Sequence, residues 1–403
     1  MEQYNKKQHS KKQYSKKQYS KPKTQKISKY ILKGGKFIDE GGFSCVVSPA
    51  IGCSTNDINL DKSISKLIRN PDSHISNEIK LSNILKSIDP LQKYYITINN
   101  YCYLKNIPSD RKDIISVKYT DSDLKEFHVS DDSIISKNSK QCDVDLSLKP
   151  INLIMPYGGL SLSTIMKTSL KSKGIKAEIH MMFINNIKTI FKHLILGIVK
   201  MHNNRIVNRD IKQRNIMLSL NKSKNILLTR YIDFGLSEFL TDALTRDVSN
   251  ISYKGTKYYC PPEIFICSVI KNYSEEPNTY KMKKINGYLE DSILIAFNKL
   301  GEKHRLKTIN KFIETLYNKI QSLFNSNKIL ETFFGTNKNK FNGYLQKADV
   351  YGLGITIYET LANYSDINVK KDEKLYDLLL HMIEIDPDKR YNVIQCLSHP
   401  YFR

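Results

Sequence analysis

The chain is 403 residues long, 40% of its residues are hydrophobic, and its formal net charge at pH 7 is +23. This length and apolar content suffice for a large core in up to three domains, which excludes a wholly disordered chain. No apolar run reaches the roughly eighteen residues of a membrane span, and the N-terminus lacks the apolar core of a secretory signal. We therefore expect a soluble, intracellular protein with no membrane partner.

The cysteines are scattered along the chain. There are seven: Cys45, Cys53, Cys102, Cys142, Cys260, Cys267 and Cys396. Their number is odd and no two have C-x-x-C spacing, which argues against a disulfide framework and against a zinc site. A reducing compartment is therefore expected.

The first 29 residues are basic and repetitive. They contain ten lysines against one acidic residue, Glu2, and residues 6–20 consist of K-K-Q-H-S followed by two copies of K-K-Q-Y-S. No aliphatic residue precedes Ile27. Such a segment cannot bury enough apolar surface to order itself, so a disordered tail is predicted.

Three interpretations of the tail remain open. It could serve solubility alone, or it could bind nucleic acid or an acidic partner, because clustered lysines release counterions on binding a polyanion. It could also be phosphorylated by the protein itself, since Ser10, Ser15 and Ser20 each follow two lysines, three and four positions earlier.

Mainly β-type segments follow the tail. The run F-I-D-E-G-G-F-S-C-V-V at 37–47 predicts a hairpin whose glycines let backbone N–H groups approach phosphates closely. S-I-S-K-L-I at 63–68 alternates like a strand, residues 76–86 predict a helix, and residues 94–104 predict another strand. Residues 105–150 are polar without sustained periodicity, so an inserted loop is predicted there.

A strand and a long helix are predicted next. I-N-L-I-M-P-Y-G-G-L-S-L at 151–162 predicts a buried strand and its exit. The helix that follows has an apolar stripe of core residues, namely Phe183, Ile187, Ile190, Leu194, Ile198 and Met201. His202 ends this helix, and we predict a structural role for it.

The segment at 206–235 carries the chemistry. It places Asp210, Lys212, Asn215 and Asp233 in one loop-strand-turn unit, I-V-N-R-D-I-K-Q-R-N-I-M-L followed by ten residues and T-R-Y-I-D-F-G. Phosphoryl transfer from ATP needs a carboxylate to hold the attacking hydroxyl, a cation on the transferred phosphate and oxygen ligands for Mg²⁺. Each of these groups is present here.

The order and spacing of these residues resemble the protein-kinase signature, in which H-R-D-L-x-x-x-N is followed by D-F-G and A-P-E. By that resemblance, Asp210 would be the catalytic base, Lys212 would stabilise the γ-phosphate, and Asn215 and Asp233 would bind Mg²⁺. Lysine two residues after the aspartate is typical of serine/threonine kinases. Asn208 departs from the family, which usually has a histidine there that contacts the D-F-G turn.

The resemblance extends to the predicted hairpin. The family pattern G-x-G-x-x-G-x-V keeps only its central glycine, because its three glycine positions fall on Asp39, Gly41 and Ser44. The resemblance implies that ATP contacts a set of hairpin residues, namely Ile38, Gly41, Gly42, Phe43, Ser44 and Val46. Asp39 beside the phosphates would slow ATP binding, which keeps an inactive kinase in view.

Further ATP contacts are implied by the predicted strand and helix. Lys66 would grip the phosphates with Glu78 as its ion-pair partner, and Lys62 is the alternative for the strand position. Ser82 stands one helical turn past Glu78, where active kinases usually bury an apolar side chain. Either a shifted register or a loosely assembled active state would explain it.

The resemblance also assigns the hinge between two lobes. Met155 would lie beside the adenine pocket, although a plain core role fits it equally well. Pro156 and Tyr157 would offer backbone groups to the base.

G-T-K-Y-Y-C-P-P-E at 255–263 and D-V-Y-G-L-G at 349–354 resemble later family motifs. By that resemblance Thr256 would orient the catalytic loop, Asp349 would brace its backbone, and Glu263 would form a buried pair with Arg390. Arg209 suggests control by an acidic or phosphorylated group in the segment after D-F-G, with four candidates there, Thr241, Thr245, Ser249 and Ser252.

A second insertion is predicted at 268–345. One helical face within it consists of Ile309, Phe312, Ile313, Leu316, Tyr317, Ile320, Leu323 and Phe324. This face would pack on its own lobe or dock a partner.

We therefore predict an α+β, bilobal protein-kinase fold at 30–403 behind a disordered tail at 1–29. A small β-rich N-lobe would cover about 30–155 and a larger helical C-lobe about 156–403. The motif variants and G-G-F-S-C-V-V-S-P-A at 41–50 look most like divergent kinases of large, mimivirus-like DNA viruses. A viral origin would place the protein in the host cytoplasm or the virion.

The expected function is Mg-ATP-dependent phosphorylation of serine and threonine in protein substrates. The alternatives are a pseudokinase scaffold, and a nucleic-acid-associated packaging factor that acts through its tail. Oligomeric state cannot be inferred from the sequence.

Overall fold

The computed structural model describes residues 36–40, 44–53, 59–68, 73–103, 150–167, 174–221, 223–240, 256–273, 275–288, 338–362 and 371–403. The predicted tail, the hairpin residues Gly41, Gly42 and Phe43, nearly all of the loop predicted at 105–150, and the helical face at 309–324 lie outside these residues.

The N-terminal part is built on a five-stranded antiparallel sheet in the order β1-β2-β3-β5-β4. Its strands are β1 (Lys36–Glu40), β2 (Ser44–Ser48), β3 (Ser63–Ile68), β4 (Asn100–Tyr103) and β5 (Ile151–Pro156). The predicted strand at 94–104 is therefore shorter than expected. A register shift interrupts the β1–β2 pairing at Phe37 and Asp39.

Helix α1 (Ser73–Ile88) belongs to the N-terminal part. Its Leu81 and Leu85 are fully buried in the main core, because leucines four residues apart share one helix face. The segment after α1 then reaches the C-terminal part, where the Ile96 N–H donates to Tyr231 O and the Tyr231 N–H donates to Tyr94 O, both at 2.9 Å.

Three helices follow β5 and the short β6 (Leu160–Ser161): α2 (Leu162–Met166), α3 (Ile175–Asn185) and α4 (Ile187–Asn203). The prediction of one continuous stripe from Phe183 to Met201 is wrong, because the chain bends by 84° between α3 and α4. Asn186 leaves the helical conformation there, with φ −122° and ψ 20°. Its side-chain amide caps the Met182 carbonyl at 2.8 Å. All six stripe residues belong to the core, and only Ile187 is partly buried.

Among the residues described, no single helix is long and apolar enough to cross a membrane. The bent pair α3 and α4 passes such a test by combined length and composition alone.

Short strands carry the segment with the chemistry. They are β7 (Ile206–Val207), β8 (Ile216–Asn221), β9 (Ile226–Tyr231) and β10 (Glu238–Phe239). β7 pairs with β10, and β8 lies between β6 and β9. Asp210, Lys212 and Asn215 lie between β7 and β8, and Asp233 lies between β9 and β10. Because these strands pair with one another, the two connecting segments lie next to each other.

Five further helices complete the larger part: α5 (Pro262–Asn272), α6 (Asn278–Tyr288), α7 (Lys338–Ala362), α8 (Glu373–Met382) and α9 (Val393–Leu397). Helix α6 belongs to the insertion predicted at 268–345, and its Tyr288 ring stacks on Phe265 of α5 with centroids 3.7 Å apart. A β-rich part followed by a helical part confirms the predicted α+β class.

The prediction against disulfides is wrong. Cys53 and Cys102 form a disulfide across 49 positions of sequence, and Cys45 is disulfide-bonded as well. The spacing of cysteines in the sequence indicates only local pairs, whereas Cys53 and Cys102 are brought together by the fold. The segment with Cys53 lies on the sheet, where Ile51 O accepts from the Asn152 side chain of β5, next to β4 and Cys102.

Candidate active site

Lys66 links three elements at the base of the sheet. β3 is central and pairs with β2 and β5, which fixes Lys66 opposite Val46 and Leu153. The Lys66 Nζ lies 2.9 Å from Glu78 Oε1 on α1 and 3.0 Å from Asp233 Oδ1 after β9. The predicted ion pair with Glu78 therefore forms. Lys62 precedes β3, so the alternative register is wrong.

Electrostatics keep Lys66 charged. Burial alone would lower the Lys66 pKa, but the carboxylates of Asp233 and Glu78 outweigh burial and raise it. Lys66 in turn lowers the pKa of Asp233. Burial raises the pKa of Glu78, and the ion pair with Lys66 opposes that shift. The Asp233 side chain is 42% exposed, so an ionised carboxylate beside the ammonium faces solvent.

The loop between β7 and β8 surrounds Asp210 with donors. Lys212 Nζ lies 2.7 Å from Asp210 Oδ2 and donates to Thr256 Oγ1 at 3.1 Å. The Asn215 amide donates to Asp210 O and Oδ2, both at 2.9 Å. The Thr256 hydroxyl is a longer donor to Asp210 Oδ1 at 3.5 Å. Burial raises the pKa of Asp210, although its hydrogen bond with Lys212 opposes the shift.

Asp349 on α7 stabilises the backbone of this loop. Its carboxylate accepts from the backbone N–H groups of Asn208 and Arg209, each at 2.8 Å. His202 Nε2 lies 3.0 Å from the same carboxylate, a contact that fits the structural role predicted for His202. The bracing matters because Arg209 has φ +69°, a left-handed conformation that is costly for a residue with a side chain.

Asp233 has a left-handed backbone too, with φ +62°. The preceding residue is fixed by the Ile232 N–H, which donates to Asn215 O at 3.0 Å. This hydrogen bond holds the turn with Asp233 close to Asn215. Backbone strain of this kind concentrates at functional sites.

Both polar departures from the family pattern have partners. The Ser82 hydroxyl is buried and accepts from the Ile98 N–H at 2.6 Å. Asn208 is also buried, and its Oδ1 accepts from the Asp210 N–H at 3.0 Å. Phe234 still packs edge-on against Tyr95, with centroids 5.9 Å apart. Ser82 and Asn208 are therefore accommodated by hydrogen bonds, and neither disrupts the packing of the site.

Arg209 is neutralised by Glu238 of β10, with Nη1 and Oε1 2.6 Å apart and both side chains nearly buried. An acidic partner in the segment after D-F-G was predicted, but Glu238 was not singled out. It is the first acidic residue after that motif, which was an available signal. The four hydroxyl candidates at 241–252 lie outside the described residues.

Comparison with known proteins identifies this arrangement. Residues 150–282 match the family described as protein kinase domain. The fold is that of a protein kinase. The matched segment contains Asp210, Lys212, Asn215 and Asp233, and strand β3 with Lys66 lies before it.

The curated relatives of this chain include proteins named as cyclin-dependent kinases, which supports a likeness to eukaryotic-type protein kinases. The chain is 28% identical over 217 residues to the mouse "Cyclin-dependent kinase-like 5", which covers 54% of this chain and 20% of the relative. It is 24% identical over 221 residues to the Arabidopsis thaliana "Cyclin-dependent kinase E-1", covering 54% and 43%. It is 30% identical over 131 residues to the yeast "Sporulation-specific protein 1", covering 32% and 23%. The chain thus spans a fifth of the length of the mouse relative.

The segment predicted as the hinge differs from the prediction in one respect. The Tyr157 N–H donates to Lys62 O at 2.9 Å, so this donor is already occupied and is not available to a base. Met155 is buried in an apolar cluster with Ile96 and Ile98, which places it in the core. At Gly159, φ is +94° and an added Cβ would lie 2.1 Å from Leu218 O, so only glycine fits this close approach.

The hairpin is described in part. Ile38 is 41% exposed on β1, and Ser44 and Val46 are half-buried on β2. The pairing of Val46 with Lys66 puts this end of the hairpin beside the ammonium.

The donor set fits the Mg²⁺ that protein kinases use with ATP. Asn215 commits its amide nitrogen to Asp210, so its Oδ1 is the atom that can face a cation. Its backbone carbonyl accepts from Ile232, the residue before Asp233. Within the described ranges, no group of three or more His, Cys, Asp and Glu is arranged to hold a metal. Two protein oxygens suffice, because Mg²⁺ in kinase sites takes its other ligands from phosphates and water.

Proposed function

We propose that this protein transfers the γ-phosphate of Mg-ATP to serine and threonine hydroxyls of protein substrates. The observation that carries the proposal is the joint assembly of two clusters. Lys66 is bonded to Glu78 and Asp233, and Asp210 is bonded to Lys212 and Asn215. The first cluster suits the phosphates, and the second suits the hydroxyl and the transferred group.

Each side chain has a distinct task. Lys66, paired with Glu78, would bind the phosphates, and Asp233 and Asn215 would hold Mg²⁺, whose charge would offset that of the phosphates. Asp210 orients the substrate hydroxyl and accepts its proton. Lys212 stabilises the charge that develops on the transferred group. The bond from Lys212 to Thr256 helps to hold the ammonium in that position.

Serine and threonine specificity is supported by Lys212 itself, since this lysine is typical of serine/threonine kinases. The competing function is a pseudokinase that binds partners with little turnover. The pseudokinase is favoured by the sequence of the predicted hairpin, which has only one of the three glycines of the family pattern. Against it, Ser82 and Asn208 have hydrogen-bond partners in an assembled site.

The deciding experiment is transfer of labelled phosphate from Mg-ATP to a generic protein substrate and to the chain itself. We expect transfer by the wild type, and at least a 100-fold loss in Asp210→Asn and Lys66→Met, of the order of single-group electrostatic contributions. Lys224→Met is the matched control, because Lys224 is an exposed lysine in the β8–β9 turn. ATP binding without transfer in the wild type would establish the pseudokinase instead.

The remaining expectations stay predictions. The likeness to kinases of large DNA viruses, the reducing compartment and the domain boundaries are among them. For the tail, we propose polyanion binding as the function to test. Affinity for DNA or RNA that is unchanged after deletion of residues 1–26 would count against it.

A further inference from the structure

Asn208 uses three polar groups at once. Its N–H donates to Asp349 Oδ2 at 2.8 Å, its side-chain Oδ1 accepts from the Asp210 N–H at 3.0 Å, and its carbonyl accepts from the Ser237 hydroxyl at 3.1 Å. The residue is only 2% exposed. A buried side chain that reaches the backbone two residues on closes a tight local turn.

That turn encloses Arg209, the residue with φ +69°. The bond from Asn208 Oδ1 to the Asp210 N–H therefore stabilises the strained conformation that directs Asp210 into the site. At the other end, the Asp210 carbonyl accepts from Asn215. Two asparagine side chains thus hold the backbone of the proposed base on both sides.

Ser237 extends the connection to α1. It is fully buried, and its carbonyl accepts from the Asn77 side-chain amide at 3.0 Å. Asn77 directly precedes Glu78 on α1. A continuous hydrogen-bonded chain therefore runs from Asn77 through Ser237 and Asn208 to the backbone of Asp210.

We propose that Asn208 and Ser237 are positioning residues that couple the placement of α1 to the orientation of Asp210. The proposal rests on the proposed kinase function. The hydrogen bonds link the cluster that contains Glu78 to the cluster that contains Asp210. The position of α1 therefore affects the orientation of Asp210. A misplacement of about 1 Å can cost about 100-fold in rate.

The test compares Asn208→Leu with Asn208→Ser. Leucine matches the size of asparagine but has no acceptor, whereas serine leaves space but keeps an oxygen that can accept from the Asp210 N–H. We expect kcat to fall about 10- to 100-fold for leucine and clearly less for serine. The KM for ATP should stay within about twofold, since Lys66 and Glu78 are untouched. If packing were the only role, leucine would be as active as serine or more so.

Ser237→Ala and Ser237→Thr test the next link in the same way, because threonine keeps the hydroxyl. If the chain is connected, the effects of Asn208→Leu and Ser237→Ala on kcat should be less than additive. Full additivity would overturn the coupling. Asn83→Leu is the matched control, because Asn83 is exposed on α1.

Amide hydrogen exchange at Asp210 separates this proposal from the kinase function. We expect a protected amide in the wild type, at least tenfold faster exchange in Asn208→Leu, and intermediate exchange in Asn208→Ser. If this order holds while no variant transfers phosphate, the positioning chain stands and the kinase function fails. Equal exchange in the wild type and Asn208→Leu would overturn the proposal whatever the activity.

Discussion

Asp210 holds a proton more readily than an exposed aspartate does, because burial raises its pKa. The proposed mechanism needs the ionised form, so protonation abolishes transfer as the pH falls. Since the pKa is raised, we expect this loss to begin at a higher pH than an unperturbed aspartate would give. The check is the acidic limb of kcat against pH.

Lys212 supplies the control for this pH dependence. Its hydrogen bond and charge lower the Asp210 pKa, so Lys212→Met should move the acidic limb further toward neutral pH. The residual activity of that variant, or an NMR titration of the carboxylate, would show the shift. An unchanged limb would mean that another group controls it.

Ser82 illustrates how one hydroxyl seats a helix. Ser82→Ala would leave the buried Ile98 N–H without its partner, at a cost of about 1 to 3 kcal/mol in the free energy of unfolding. Denaturant unfolding measures this cost. Ser87→Ala on the same helix is the control, because Ser87 bonds only within the helix and is exposed to solvent. Equal losses in the two variants would argue against a role for Ser82 in seating α1.

At the scale of elements, Glu263 and Arg390 join α5 to the loop before α9. The guanidinium bonds both carboxylate oxygens, at 2.6 and 3.2 Å, and both side chains are essentially buried. Glu263→Gln would leave a buried charge unpaired, so we expect a loss of about 3 to 5 kcal/mol in the free energy of unfolding.

The pair of Lys389, which is exposed, and Asp386, 3.6 Å apart, is the control for this buried pair. Lys389→Ala should change stability by less than about 1 kcal/mol. Replacing Glu263 and Arg390 together by methionine should recover part of the loss, because no lone charge remains buried. A double variant as unstable as Glu263→Gln would contradict this explanation.

The elements also show which predictions a sequence can support. Asp210, Lys212, Asn215 and Asp233 lie within one short unit, so their local spacing was sufficient to bring them together. The sequence alone could not decide between Lys66 and Lys62. Only the pairing of β3 with β2 and β5 excludes Lys62.

Two errors have non-local or subtle causes. The break at Asn186 was missed because the apolar stripe stays in phase through the bend. The occupied Tyr157 N–H could not be foreseen either. Its acceptor, Lys62 O, lies almost one hundred positions earlier and meets it only through sheet pairing.

At the scale of the whole molecule, the Cys53–Cys102 disulfide fastens the segment after β2 to the edge strand β4. Replacing both cysteines by serine should lower the free energy of unfolding by about 2 to 4 kcal/mol, the usual range for a disulfide that closes a loop of this kind. Peptide mapping without reductant would identify the bond. Free thiols at both positions in the native protein would contradict the structure here and favour the reducing compartment.

Backbone hydrogen bonds between Tyr94, Ile96 and Tyr231 join the N-terminal part to the C-terminal part. Because Tyr231 is hydrogen-bonded to both Tyr94 and Ile96, we expect any opening between the two parts to be a rotation about this line. The bond from the Ile232 N–H to Asn215 O joins the segments that carry Asp233 and Asn215, so we expect these two residues to move together and Lys66 to move with the sheet. Opening would therefore part Lys66 from Asp233 and leave the two Mg²⁺ ligands together, so nucleotide release would begin at the phosphates.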